Sequence, residues 1–152
     1  MPTSRPKLKV IVTRRLPEPV ETRMSELFDV ELNTTDTPLT IEQLGDAAAR
    51  CDVLVPTITD RIDGRTLARA GDRMRLIAQF GVGVNNIDVQ ACISRGITVT
   101  NTPGVLTEDT ADMTMGLILS VPRRIVDGVA AMQSGQFTGW SPTWMLGRRI
   151  HG

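Results

Sequence analysis

An α/β fold built on a doubly wound parallel sheet is what this sequence predicts, and three observations predict it. Short β-branched runs alternate with stretches of helical apolar spacing through the first 104 residues. Strands separated in this way by helices imply a parallel sheet covered on both faces. The composition is that of an ordinary globular chain, 41% hydrophobic with 13 glycines among 152 residues, which is long enough to bury a core of its own.

The elements follow in order. Leu8 to Thr13 reads as a buried strand, and Val20, Met24, Leu27 and Phe28 then mark a helix. Asp29 to Leu32 is a weaker, alternating strand. Thr40 and Gln43 have the spacing of a capping box, which opens a helix running to about Arg50. Asp52 to Val55 is the third strand, ended by Pro56, and a helix over Asp63 to Ala70 leads to the fourth, Leu76 to Phe80. Asp88 caps a short helix ending near Gly96, and Ile97 to Thr100 is the fifth strand. Five such units in this length of chain give a flavodoxin-like layout.

After the turn Asn101-Thr102-Pro103-Gly104 the pattern changes. From about Thr107 the apolar spacing is long and helical as far as Val129, with Glu108 and Asp109 in the first turn, where the helix dipole favours acids. Pro122 should kink this helix or end it near Val121, and Gly135 is a plausible stop. Phe137 to Gly152 carries both tryptophans and no clear period. It reads as an extended arm that needs a partner surface.

Charge and cysteine usage narrow the function. Lys plus Arg and Asp plus Glu both number 17, so the basic surplus of a nucleic-acid binder is missing. The pairs Arg14-Arg15, Arg123-Arg124 and Arg148-Arg149 read as solvated faces. Cys51 and Cys92 form neither a metal cluster nor a disulfide framework and read as small buried hydrophobes. Met1 to Lys9 lacks the apolar run of a signal peptide, no stretch is apolar enough to span a bilayer, and the expected compartment is the cytoplasm. His151, the only histidine, stands beside the chain end, which positions no general acid or base.

In an open parallel sheet, ligands bind outside the carboxyl ends of the strands. The distinctive segment there is Gly81-Val82-Gly83-Val84-Asn85-Asn86, directly after the fourth strand. Glycine permits positive φ, which would let successive N–H groups converge on an anion such as a carboxylate. The alternative reading of the spacing is a plain tight strand-to-helix turn. The spacing does not fit a dinucleotide fingerprint, since position 86 is Asn rather than Gly and the next helix is displaced to Asp88.

As one string, Leu76 to Ala111 resembles the D-isomer-specific 2-hydroxyacid dehydrogenases, in particular the glyoxylate and hydroxypyruvate reductase branch. The G-x-G-x-[DN]-N-[IV]-D loop appears as Gly81 to Asp88, G-I-x-V-x-N-T-P as Gly96 to Pro103, and T-A-[DE] as Thr110 to Asp112. Gly139 to Pro142 and Leu146-Gly147 look like the same branch. The resemblance implies a substrate-binding domain over residues 1–104, lacking its closing helix. It also implies the start of a Rossmann cofactor domain over 105–152, with its long helix and dimerisation arm. Gly81, Val82 and Gly83 would bind the carboxylate of a small 2-oxo acid through the N–H groups of Val82 and Gly83. Val82 and Thr107 would approach an NAD or NADP cofactor, Thr107 serving also as a plain N-cap.

A homodimer would form through residues 105–147. Trp144 would reach the partner's substrate pocket, or simply be buried at the interface. In the family the G-x-G-x-x-G comes just after the point where this chain stops, and the catalytic Arg, Glu and His come later still. None of these maps here, so the chain alone is expected to be inactive. The alternative is a stand-alone carboxylate-binding or dimerisation module of the same shape. A phospho-receiver is disfavoured by Thr13-Arg14-Arg15 and Pro56 where acidic residues are wanted.

Overall fold

The computed structural model describes residues 6–150, so His151 lies outside the described residues. The chain forms two compact units, Met1–Pro103 and Gly104–Gly152.

The first unit is a five-stranded sheet of order β2-β1-β3-β4-β5, the flavodoxin-like order. The strands are β1 (Lys9–Val12), β2 (Asp29–Glu31), β3 (Val53–Val55), β4 (Leu76–Ala78) and β5 (Thr98–Thr100), and every pairing is parallel. Four helices connect them: α1 (Glu18–Leu27), α2 (Ile41–Arg50), α3 (Gly64–Ala68) and α4 (Val89–Ser94).

The caps explain why these helices start where they do. Thr40 accepts from the Gln43 amide at 3.2 Å while the Gln43 side chain accepts from the Thr40 amide at 2.8 Å, which is the reciprocal box expected. Asp63 caps α3 by accepting from Arg65 and Thr66, and Asp88 caps α4 by accepting from Ala91 at 2.9 Å. The fourth strand is shorter than the predicted run to Phe80. Proline has no N–H to carry the ladder past Pro56, and pairing beyond it dwindles to an isolated bridge between Thr57 and Phe80.

Successive strand side chains alternate between the two faces of the sheet. Ile11, Leu54 and Ile77 pack with Leu44, Ala47 and Ala48 of α2, Leu67 of α3 and Cys92 of α4. Val10, Val12 and Val55 take the other face with Leu16, and Met24 of α1 packs there. Cys51 and Cys92 are free and buried. Desolvation pushes the Cys51 thiol up to about 11, the behaviour of an inert core residue.

In the second unit the long helical stretch ends at Ser120, with Val121 as its C-cap, where Pro122 was expected to break it. The unit holds α5 (Thr107–Ser120) and a separate α6 (Ile125–Gln133). Pro122 follows the last turn of α5, and Arg124 enters α6 with left-handed backbone at φ 55°. Gly135 follows α6 at φ +70°, the left-handed stop that glycine makes cheap. Thr107 is the first helical residue and not the cap. Leu106 holds the cap position, with no side-chain hydrogen bond there.

Among the described residues Ala131 is the one fully buried hydrophobic side chain of this unit. The arm packs against the α5–α6 connection. Arg148 donates its N–H to the Pro122 carbonyl at 2.7 Å, and a Cβ at Gly147 would meet that same oxygen at 2.6 Å. Phe137 and Trp144 pair with ring centroids 5.3 Å apart.

Candidate substrate-binding site

The carboxyl ends of β1, β3, β4 and β5 bring Thr13, Thr57, the glycine loop and Asn101 to one edge of the sheet. Strand order reverses between β1 and β3, where ligands of open α/β sheets usually sit. Here that crevice is filled by the protein's own groups. Buried Asp60 accepts from the Thr13 hydroxyl at 2.5 Å and from the Thr57 amide at 2.7 Å. Arg14 alongside is taken by Asp36 at 2.8 Å and by the Thr59 hydroxyl at 3.1 Å. Its guanidinium holds the Asp36 carboxyl below the ordinary carboxylate range, with help from the Arg15 amide.

The free donors lie at the end of β4. Three successive carbonyls of the glycine loop are occupied. Gly81 accepts from the Thr102 amide at 3.0 Å, Val82 from Asn101 Nδ2 at 2.7 Å, and Gly83 from Gln79 Nε2 at 3.2 Å. The Gly81 N–H is spent on the Gln79 carbonyl at 3.1 Å. Among the described residues, none of the successive N–H groups from Val82 to Asn86 donates to an acceptor, and Val82 and Gly83, nearest the strand end, are both exposed. A run of unspent N–H groups that begins at a strand end suits an anion.

The glycines act differently from the expectation of positive φ, since neither Gly81 nor Gly83 is among the left-handed positions. At Gly81 the reason is space, because a Cβ would meet Ile58 Cγ2 at 2.7 Å. At Gly83 a Cβ would meet nothing, so the missing side chain leaves the face of the loop open.

Beneath the loop lies a polar layer that sequence reasoning missed. Gln79, buried at the end of β4, donates to Asn86 Oδ1 at 2.9 Å as well as to Gly83. Asn86 Nδ2 donates to the carbonyls of Thr57 at 3.0 Å and Asp60 at 2.9 Å. A Gln inside an otherwise apolar strand, Leu76-Ile77-Ala78-Gln79-Phe80, was the signal, since a buried amide must find partners. Beside this layer a shallow cleft is lined by Thr59, Arg61, Asp63, Asn85 and Asp88 among others.

The remaining predicted residues belong to the second unit. Thr107 is exposed at the start of α5, and Trp144 is 40% exposed with one side against Phe137. No group of His, Cys, Asp and Glu that could hold a metal ion occurs among the described residues. None of their helices is long and apolar enough to cross a membrane.

The model of the D-isomer specific 2-hydroxyacid dehydrogenase catalytic domain matches residues 6–143. The chain belongs to that family. A glyoxylate reductase from Aeropyrum pernix is 43% identical over 149 residues, covering 95% of this chain and 44% of that protein. A solved protein from Polaromonas sp. JS6 66, described as NAD-binding, superposes with a TM-score of 0.90 at 33% identity, over 97% of this chain and 46% of that one. An NADPH-dependent glyoxylate/hydroxypyruvate reductase from Sinorhizobium meliloti, solved with NADP and malonate, gives a TM-score of 0.70 at 25% identity, over 91% of this chain and 43% of its own. This 2-hydroxyacid dehydrogenase chain therefore spans about half the length of the relatives it matches.

Proposed function

We propose that this chain is the carboxylate-holding, amino-terminal portion of an NAD(P)-dependent oxidoreductase. The enzyme would reduce a small 2-oxo acid, of the glyoxylate or hydroxypyruvate type, to a D-2-hydroxy acid. The observation that carries the reading is the pair of unspent N–H groups at Val82 and Gly83, set at the carboxyl edge of a parallel sheet. They would donate to the substrate carboxylate, and hydrogen bonds to a charged acceptor are about twice as strong as neutral ones. Family membership and the glyoxylate reductase relatives support the substrate class.

The described residues fit only a small part of a nicotinamide dinucleotide. Val82 offers an exposed apolar side chain to a ring, and Thr107 a hydroxyl at the start of α5. They do not fit its pyrophosphate. The loop at Gly81 lacks the third glycine, and the first turn of α5 carries Glu108 and Asp109, which repel phosphate. Hydride transfer and proton donation therefore belong to residues outside this chain, and the chain alone is inactive. Residues 1–104 serve as the substrate-binding domain and 105–152 as the beginning of the cofactor domain, in a cytoplasmic homodimer joined through residues 105–147. Trp144 would reach the partner's substrate pocket or be buried at the interface.

The direct test is titration of the 15N-labelled chain with oxalate, a planar stand-in for a 2-oxo acid. Saturable amide shifts centred on Val82 and Gly83 are expected. Shifts centred on the Thr59–Asp63 and Asn85–Asp88 cleft, or none that saturate, would overturn the assignment.

A further inference from the structure

We infer that Asn101 is a positioning residue for this site, aiming the Gly83 N–H at the substrate carboxylate by holding the carbonyl of Val82. The inference rests on the reading of the glycine loop given above. A peptide unit is planar, and in its trans form the carbonyl of one residue and the N–H of the next point in opposite directions. Whatever grips a carbonyl from one side thus sets the direction of the following N–H on the other. The Thr102 amide, gripping Gly81 at 3.0 Å, sets the Val82 N–H. Asn101 Nδ2, gripping Val82 at 2.7 Å, sets the Gly83 N–H.

The two constraints differ in kind. The first is main chain to main chain and survives any side-chain change. The second depends on one exposed side chain at the end of β5, reaching 19 residues back along the sequence to the loop after β4. Gln79 holds the Gly83 carbonyl at 3.2 Å, but the peptide on the amino side of Gly83 has no side chain of its own to fix it, and a Cβ there would meet nothing within 4 Å. The Asn101 bond does nothing for the core, since no buried group depends on it. Its effect is to hold one peptide plane in readiness for an anion, lowering the cost of ordering when the anion arrives.

The test compares the wild-type chain with Asn101→Leu, which keeps the side-chain shape and adds no charge but has no donor, and with Asn101→Ser as a second form. Each is 15N-labelled and titrated with oxalate. In both variants affinity should fall about tenfold, the loss of roughly one charge-assisted hydrogen bond. The response of the Gly83 amide should shrink while that of Val82 persists. Three results would overturn the inference. An unchanged affinity and Gly83 response would show that Asn101 aims nothing. An equal loss at Val82 and Gly83 would give it a merely structural role. No response at either amide in the wild-type chain would fail the reading of the loop itself, and this inference with it.

Discussion

At Gly81 and Gly83 the absent Cβ serves two purposes, one making room for Ile58 and the other leaving the loop face open. Neither purpose is visible in a spacing pattern, which is why the expectation of positive φ was mistaken although the loop itself was found. Asn86 and Gln79 show the same limit, because which carbonyls a buried amide reaches depends on how the segments after β3 and β4 meet. Asp52 carries the clearest single-residue electrostatics. Its carboxylate accepts from Arg73 at 2.9 and 2.6 Å and from the Lys9 amide at 2.6 Å. Arg73 first, and then that amide, hold it below the ordinary carboxylate range. A carboxyl depressed in the folded state stabilises fully above its unfolded pKa, about 3.9, and less and less as pH falls through the folded value. Asp52→Asn should therefore cost about 1 kcal/mol near neutrality, Arg73 being half exposed. That cost should shrink as the pH falls, and urea unfolding at pH 7 and pH 3 would show it smaller at pH 3. A cost equal at both pH values would contradict the assignment.

Elements in the first unit were legible because their signals are local. The Thr40 box, the Asp63 and Asp88 caps and the β-branched runs of Val10 to Val12 and Val53 to Val55 each act within a few residues. In the second unit Pro122 announced a break, but not that Arg124 would turn left-handed and start a second helix. The apolar side chains there are left uncovered: Val121 is 74% exposed, Val126 76% and Trp140 85%. Exposed apolar area on this scale seeks a partner. The chain is thus expected to self-associate at micromolar concentration in sedimentation, and Trp140→Ser with Val126→Ser should shift it toward monomer. A wild-type chain that stays monomeric would remove the case for the homodimer.

For the whole molecule, fold and family were legible from sequence because the motifs are runs of neighbouring residues, two of them, Gly81 to Asp88 and Gly96 to Pro103, beside β4 and β5. The chain spans about half the length of the relatives it matches, and the division of roles across that length is the proposal made above. We propose that this chain holds the carboxylate and that hydride is moved by residues outside it. Glyoxylate-dependent oxidation of NADH and NADPH, measured for this chain and for the product of the complete reading frame that encodes it, tests that division most directly. Turnover is expected from the complete product and none from this chain alone. Turnover by the 152-residue chain, or none by the complete product with any small 2-oxo acid, would contradict it.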